Sequence, residues 1–225
     1  LAGLPFIAPD YSSAWLLKDV QMGYLQEKFA KKGLMILYTA PWPGQGFYTK
    51  FPVNSVSDFK GKKLRIYSTA TQQMGSMLGF NATILPFAEI PQAFSTGLIE
   101  ALFTSPQTGI DIQAWDNTKH FTYAGAIFSK NAVVVTKKAF DALSKADQSS
   151  MLAAAKRAEL RGWEMSAETT KKQIGILKKN GMSSKNAPDE VISKMKSIGL
   201  EMMKNWRSKA SPEANAVLDR YLSMR

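Results

Sequence analysis

The sequence predicts an α/β protein, and three apolar runs carry that reading. LRIY (64–67) is a short strand pattern that opens into a helical one (Gln72, Met74, Met77, Leu78) ending at Gly79. ATILPF (82–87) is a second run, followed by a helical stretch over 88–96 that stops at Gly97. IEALFTS (99–105) is a third. Strands alternating with short helices imply parallel pairing through crossovers, and ligands of such sheets sit beyond the carboxyl ends of the strands. Arg65 lies inside the first run between Leu64 and Ile66, where a charge is costly unless something pairs with it.

The other elements follow in chain order. Residues 12–32 form a helix: Ser12 or Ser13 can cap it, Trp15, Leu16, Val20, Tyr24, Leu25 and Phe29 recur at helical spacing, and Gly33 stops it. LMILYT (34–39) is a continuous apolar run suited to a buried strand. The segment 40–53 carries two prolines and two glycines close together and reads as loop, although Trp42, Phe47, Tyr48 and Phe51 load it with aromatics. SVSDFKGKK then turns into the Arg65 strand. Beyond the third run, residues 105–119 read as a short helix reaching Trp115; 121–128 and 131–137 read as extended segments joined by Ser129, Lys130 and Asn131. The remainder is helical: a short helix at 140–143, a long one from Lys145 to about Asn180 ending at Gly181, one over 189–203 after Pro188, and one over 212–222 capped by Ser211.

Composition narrows the chemistry. At 225 residues the chain is long enough for a substantial core. No apolar run approaches the roughly 20 residues of a membrane-spanning helix. No basic-then-apolar leader precedes the first helix, so a signal peptide is expected to be absent or already removed. With no cysteine there is no disulfide, thiolate metal site or cysteine nucleophile, and the single His120 rules out a histidine metal cluster. Neither GxGxxG nor a phosphate-cradling GxxxxGK[ST] occurs, so no cofactor and no metal are expected. The net charge of +11 raises the question of nucleic acid. Residues 137–225 carry 18 Lys/Arg against 10 Asp/Glu, hence +8 of it, spread through amphipathic helices without interleaved exposed aromatics. That pattern is a solvated helical face, so no nucleic acid is expected, though basicity favours capture of small anions.

Each candidate site residue has two readings. Arg65 either pairs with a buried carboxylate such as Glu89 or Glu100 or grips a ligand carboxylate through two parallel hydrogen bonds, which lysine cannot make. Trp42 either anchors its loop on the core or walls a ring-like ligand, with Gln45 and Phe47 beside it. Phe87 stands at a strand end before a helix, at a pocket edge or in the core. Thr104 and Ser105 end the third strand, where they cap the next helix, face a ligand, or both.

In order, SVSDFKGKKLRIYSTATQQMGSMLGFNATILPFAEIPQAFSTGLIEALFTSP and TKHFTYAGAIFSKNAVVVTKKAFDALSKADQSSMLAAA resemble the solute-binding proteins of tripartite ATP-independent periplasmic (TRAP) transporters. That family shows a DLKG-like turn, a KIRV-like strand with a signature arginine, and an ordered P-x-P-x-x-F-x-E…G-x-V-D-G element. The resemblance spans roughly residues 1–180. It implies a two-lobed, periplasmic-binding-protein-like clamp with mixed sheets, in which Arg65 grips the carboxylate of an organic acid and Phe87 packs on it. The polar position after V-D-G falls at Thr104 or Ser105, where IEALFTS departs from the family pattern. A second arginine of some members would fall near Gly44–Gln45; PWPGQGFY replaces it, which suggests an aromatic, amide-lined wall instead.

The resemblance also implies an organisation: 1–40 as part of lobe I, with its first strands missing from this sequence; 41–130 mainly lobe II with hinge crossings; and 131–225 as a hinge strand plus carboxy-terminal helices, the long one bracing both lobes. The function expected is a periplasmic receptor, monomeric and not an enzyme, that hands a small carboxylate to the membrane subunits of a TRAP transporter. The rival is an α/β enzyme acting on an anionic substrate, with Arg65 as clamp and Glu89 or Glu100 as base.

Overall fold

A computed structural model describes all 225 residues. In chain order its elements are α1 Tyr11–Ala30, β1 Leu34–Pro41, β2 Gly46–Thr49, β3 Lys63–Ile66, α2 Thr69–Met77, β4 Asn81–Ile84, α3 Ile90–Ser95, β5 Ala101–Thr104, α4 Pro106–Asp111, β6 His120–Tyr123, β7 Lys130–Thr136, α5 Lys137–Asp141, α6 Lys145–Lys179, β8 Ser183–Asn186, α7 Asp189–Lys209 and α8 Pro212–Ser223. The strands make two sheets. One is an antiparallel pair, β1 with β7; the other has six strands in the order β4-β3-β5-β2-β6-β8.

The expected crossovers are present: β3 pairs parallel with both β4 and β5, with α2 and α3 in the connections. Two strands lie where none was expected. β2 runs through the segment read as loop, antiparallel to β5 and β6 at the centre of the six-stranded sheet. Pro41, Pro43 and Gly44 precede it, and Gly46 opens it because a Cβ there would run into the Thr122 carbonyl of β6. β8 is the polar SSKN, an edge strand parallel to β6. The segment 121–128 is a strand only to Tyr123.

Core packing follows from β2. Alternate residues face opposite sides of a sheet, so Phe47 and Tyr48, both fully buried, seed two different cores. Phe47 packs against Phe59, Phe80 and Phe103 at ring separations of 4.9, 5.9 and 4.9 Å, in a core that α2 and α7 close. Tyr48 lies 4.4 Å from Phe121, in the core shared with Ile90, Phe94 and Leu177. Its hydroxyl donates to the Ser105 carbonyl (3.1 Å).

α6 joins the sheets. With 35 residues it is about 52 Å long at ~1.5 Å per residue. Near its middle Glu159 accepts from the Thr39 amide (2.9 Å) and hydroxyl (2.7 Å) on β1, and Trp163 Nε1 donates to Thr39 Oγ1 (3.2 Å). Further on, Gln173 Nε2 donates to Gln107 Oε1 on α4 (2.9 Å), and Leu177 enters the Tyr48 core. The bracing role expected of this helix is thus built from named contacts at both sheets. No helix is long and apolar enough to cross a membrane.

Candidate functional site

β2 runs antiparallel to its neighbours, so its amino end lies at the same sheet edge as the carboxyl ends of β3, β5 and β6; Gly46 is opposite both Thr104 and Tyr123. That edge bounds a cavity of about 300 Å3. Arg65 and Tyr67 enter from β3 and its end, Thr104 and Ser105 from the end of β5, Phe87 from the turn after β4, and Trp42 and Gln45 from the approach to β2. Thr108 of α4 and the run Ser129–Lys130–Asn131 that starts β7 complete it. A larger, mostly apolar groove of about 570 Å3 lies between residues 5–9 and α7 and α8. Size does not locate the site; convergence of polar groups at strand ends does.

Arg65 is 5% exposed, and the carboxylate partner that one reading gave it is absent. Its Nε donates to the Leu85 carbonyl (3.0 Å), and its two Nη groups make no hydrogen bond within the protein. Burial lowers its pKa from the usual arginine value, with Tyr67 opposing, yet a guanidinium stays charged at any working pH. Arg65 and Lys130 line the cavity and no acidic residue does. The arrangement can hold a planar anion through a two-pronged contact, and it offers no carboxylate base.

Beside the arginine runs a hydrogen-bonded relay. Tyr67 donates to Gln45 Oε1 (2.7 Å) and Gln45 Nε2 donates to Ser129 Oγ (2.9 Å). Burial pushes the Tyr67 hydroxyl up to about 12, against the opposing pull of Gln45, Ser129 and Arg65, so it is a neutral donor. With both ends of its buried amide engaged, Gln45 orients its neighbours. Ser105 accepts from the Thr108 amide (3.2 Å) as the cap of α4, and its hydroxyl lies 3.1 Å from that of Thr108. The Thr104 hydroxyl is free. Phe87 is 52% exposed on the rim, and half-buried Trp42 donates to Asn131 Oδ1 (3.3 Å) across from it.

Six of the seven expected site residues therefore line one cavity. Phe47 does not. It points to the opposite side of β2 from Tyr48, into the aromatic core, because the segment is a strand whose residues alternate and not a loop. Of the two positions near which a second arginine was expected, Gly44 has no room for one, since a Cβ there would meet the Tyr123 hydroxyl and the Phe128 ring, while at the other the Gln45 amide takes the place in the cavity. Glu89 and Glu100, the candidate bases, lie elsewhere. Glu89 borders a separate exterior cavity, and Glu100 accepts from the Lys63 amide (3.2 Å) at the amino end of β3. Tyr67, Thr108, Ser129, Lys130 and Asn131 were not anticipated. The period-two spacing from Arg65 was a signal for Tyr67, and the helical i+3 spacing from Ser105 was one for Thr108.

A family model described as bacterial extracellular solute-binding protein, family 7, matches residues 1–209. Among solved structures, the Bordetella pertussis receptor DctP7, an extracytoplasmic solute receptor binding pyroglutamic acid, superposes with a TM-score of 0.94 at 36% identity, over 97% of this chain and 72% of its own. A marine metagenome TRAP solute-binding protein specific for pyroglutamate gives 0.92 at 32% identity, over 97% and 72%. A solute-binding protein of Chromohalobacter salexigens is 25% identical over 180 residues, 76% of this chain and 53% of its own. The chain spans about half the length of the curated relatives it matches. The family and these relatives are solute receptors, and by the extent of the match this chain belongs to family 7 of the bacterial extracellular solute-binding proteins, the family of the TRAP receptors.

Proposed function

We propose that the protein is a receptor that captures a small organic carboxylate, with pyroglutamate the first candidate, and delivers it in the periplasm to the membrane subunits of a TRAP-type transporter. The observation that carries this reading is Arg65: a buried guanidinium with both Nη groups free, in a cavity that contains no acid. One charge-assisted contact of this kind contributes roughly 1.5–3 kcal/mol net. Ring packing between Trp42 and Phe87 supplements it and favours a flat or cyclic acid. Two relatives at 36% and 32% identity whose ligand is pyroglutamate support that choice.

Residues 41–130 read as mainly one lobe and β1 with β7 as the start of the other, with hinge crossings at 41–46 and 124–131. Closure of the cleft then couples capture to recognition by the transporter as a population shift between open and closed states. The receptor is expected to act as a monomer and to leave its ligand chemically unchanged.

The test is a thermal-shift and calorimetric screen of organic acids. L-pyroglutamate should raise the melting temperature in a concentration-dependent way, bind one-to-one, and be recovered intact. Small-angle scattering should show compaction on binding. Steady conversion of any acid to product, or no stabilisation by any acid, would overturn the reading.

A further inference from the structure

Lys130 begins β7, on the opposite sheet from Arg65, and borders the same cavity. It is half-buried and makes no ion pair, while the lysine most deeply buried elsewhere is fully provided for. Lys18, 4% exposed, holds Asp19 at 2.7 Å and Glu159 at 3.2 Å and lies over the Trp15 ring. Glu159 is already engaged by Lys18 and by the amide and hydroxyl of Thr39. A lysine drawn out of water without an acid is costly to keep, and this one stands where an anion is expected to enter.

We propose that Lys130 is the second recognition group of the site: it meets a hydrogen-bond acceptor at the far end of the ligand from the carboxylate that Arg65 holds. The inference rests on the carboxylate-receptor reading and narrows its ligand class to acids bearing a second acceptor, either a ring carbonyl or a second carboxylate oxygen. A cation on each sheet also gives such a ligand a reason to hold the two sides of the cleft together.

The surroundings of Lys130 are cationic. Lys18 of α1 and the amino group of Leu1 influence it or are influenced by it, Arg65 and Tyr67 line the cavity with it, and no acid does. Burial first, and Lys18 second, bring its pKa down to about 8. An acceptor stabilises the charged form, so in the complex the pKa rises. The gain from Lys130 is then full below about 8 and is lost as pH climbs through the raised value. Binding near pH 8.5 should take up a proton.

The experiment measures L-pyroglutamate and cyclopentanecarboxylate, a ring acid without the ring carbonyl, by direct and competition calorimetry. The proteins are the parent, Lys130→Met, Lys130→Arg and Arg65→Ala. Lys130→Met should weaken pyroglutamate about tenfold at pH 7 and leave cyclopentanecarboxylate unchanged. Parent affinity for pyroglutamate should fall toward that of the Met variant by pH 9.5, while the Met and Arg variants stay flat. Two buffers of different ionisation enthalpy should report proton uptake in the parent only. The Met variant removes an unpaired charge from a half-buried position, so its melting temperature without ligand should equal or exceed that of the parent. Unchanged pyroglutamate affinity in Lys130→Met, with Arg65→Ala impaired, would overturn the Lys130 assignment and leave the receptor reading standing. An Arg65→Ala protein that binds as the parent does would overturn the clamp role of Arg65 and with it the two-point contact proposed here, while turnover of the acid, or no binding of any acid by the parent, would overturn the receptor reading itself.

Discussion

The two ends of the six-stranded sheet treat charge in opposite ways. At the amino end of β3, Lys63 donates to the Gly97 carbonyl (3.0 Å), Glu100 accepts from the Lys63 amide and lies 3.9 Å from Lys62, and these side chains reach solvent. At the carboxyl end, two residues on, Arg65 is buried and leaves both Nη groups unused in a cavity that also holds an unpaired lysine and no acid. A charged group that is satisfied and wet belongs to the architecture. One that is largely buried and leaves its donors unused, facing a cavity, is what the proposed carboxylate would engage. Between the two ends lies β2, whose Phe47 and Tyr48 rings fill the two cores, Tyr48 reaching the carboxyl end through the Ser105 carbonyl.

The largest effect should come from that middle. Phe47→Ala removes a fully buried ring from contact with three others and should cost about 3–5 kcal/mol of stability, read from urea or thermal unfolding. Ligand affinity of the molecules that remain folded should not change. If affinity falls while stability holds, the separation between core and site is wrong.

At the carboxyl end, Arg65→Ala should lose at least tenfold in carboxylate affinity, about 1.4 kcal/mol, with no loss of stability. Lys at position 65 should restore only part of it, since a point charge lacks the fork. A clear drop in melting temperature without ligand would mean that Arg65 holds the fold together after all.

Ser105 sits at the same end but carries a structural duty as the cap of α4. Ser105→Ala should cost about 1 kcal/mol in stability, with a smaller change in affinity through Thr108. Smallest of all, Glu100→Gln at the amino end should change stability by under about 0.5 kcal/mol, and salt should erase the difference. Affinity should be untouched. A binding defect there would break the contrast between the two ends.

The sequence made most of this sheet readable because β3, β4 and β5 lie next to helices whose periodicity and stop signals are local. β2 was hidden for a physical reason: Trp42–Pro43–Gly44–Gln45–Gly46 carries turn chemistry right up to the first paired residue, and the strand has only four residues, all buried. Its Phe47 therefore read as a loop aromatic free to meet a ligand. β8 was hidden in the opposite way. SSKN has no apolar residue to alternate, and its place on an exposed edge, with Lys185 reaching Asn54 (2.9 Å), is fixed by β6 alone. Arg65, Phe87, Thr104 and Trp42 were readable as site candidates because each sits at a strand end or in a rigid loop. Lys130 was not, because nothing local tells that the joint between two extended segments folds back across the sheet that carries Arg65.

α6 has a mechanical consequence. Under the cleft closure proposed above, a single rod clamped to β1 near its middle and to the Tyr48 core near its far end could not follow the motion without flexing. Within its span stand Gly162 and Gly175, and a Cβ at either would meet no neighbouring atom, so packing does not demand them. Each costs the helix roughly 0.5–1 kcal/mol relative to alanine. Gly162 stands between Glu159 and Trp163 and Gly175 between Gln173 and Leu177, so alanine at both should raise the melting temperature and stiffen the helix at the two places where it is held. What the helix gives up in stability at those two points it keeps as local compliance, as a leaf spring does where it is thinned.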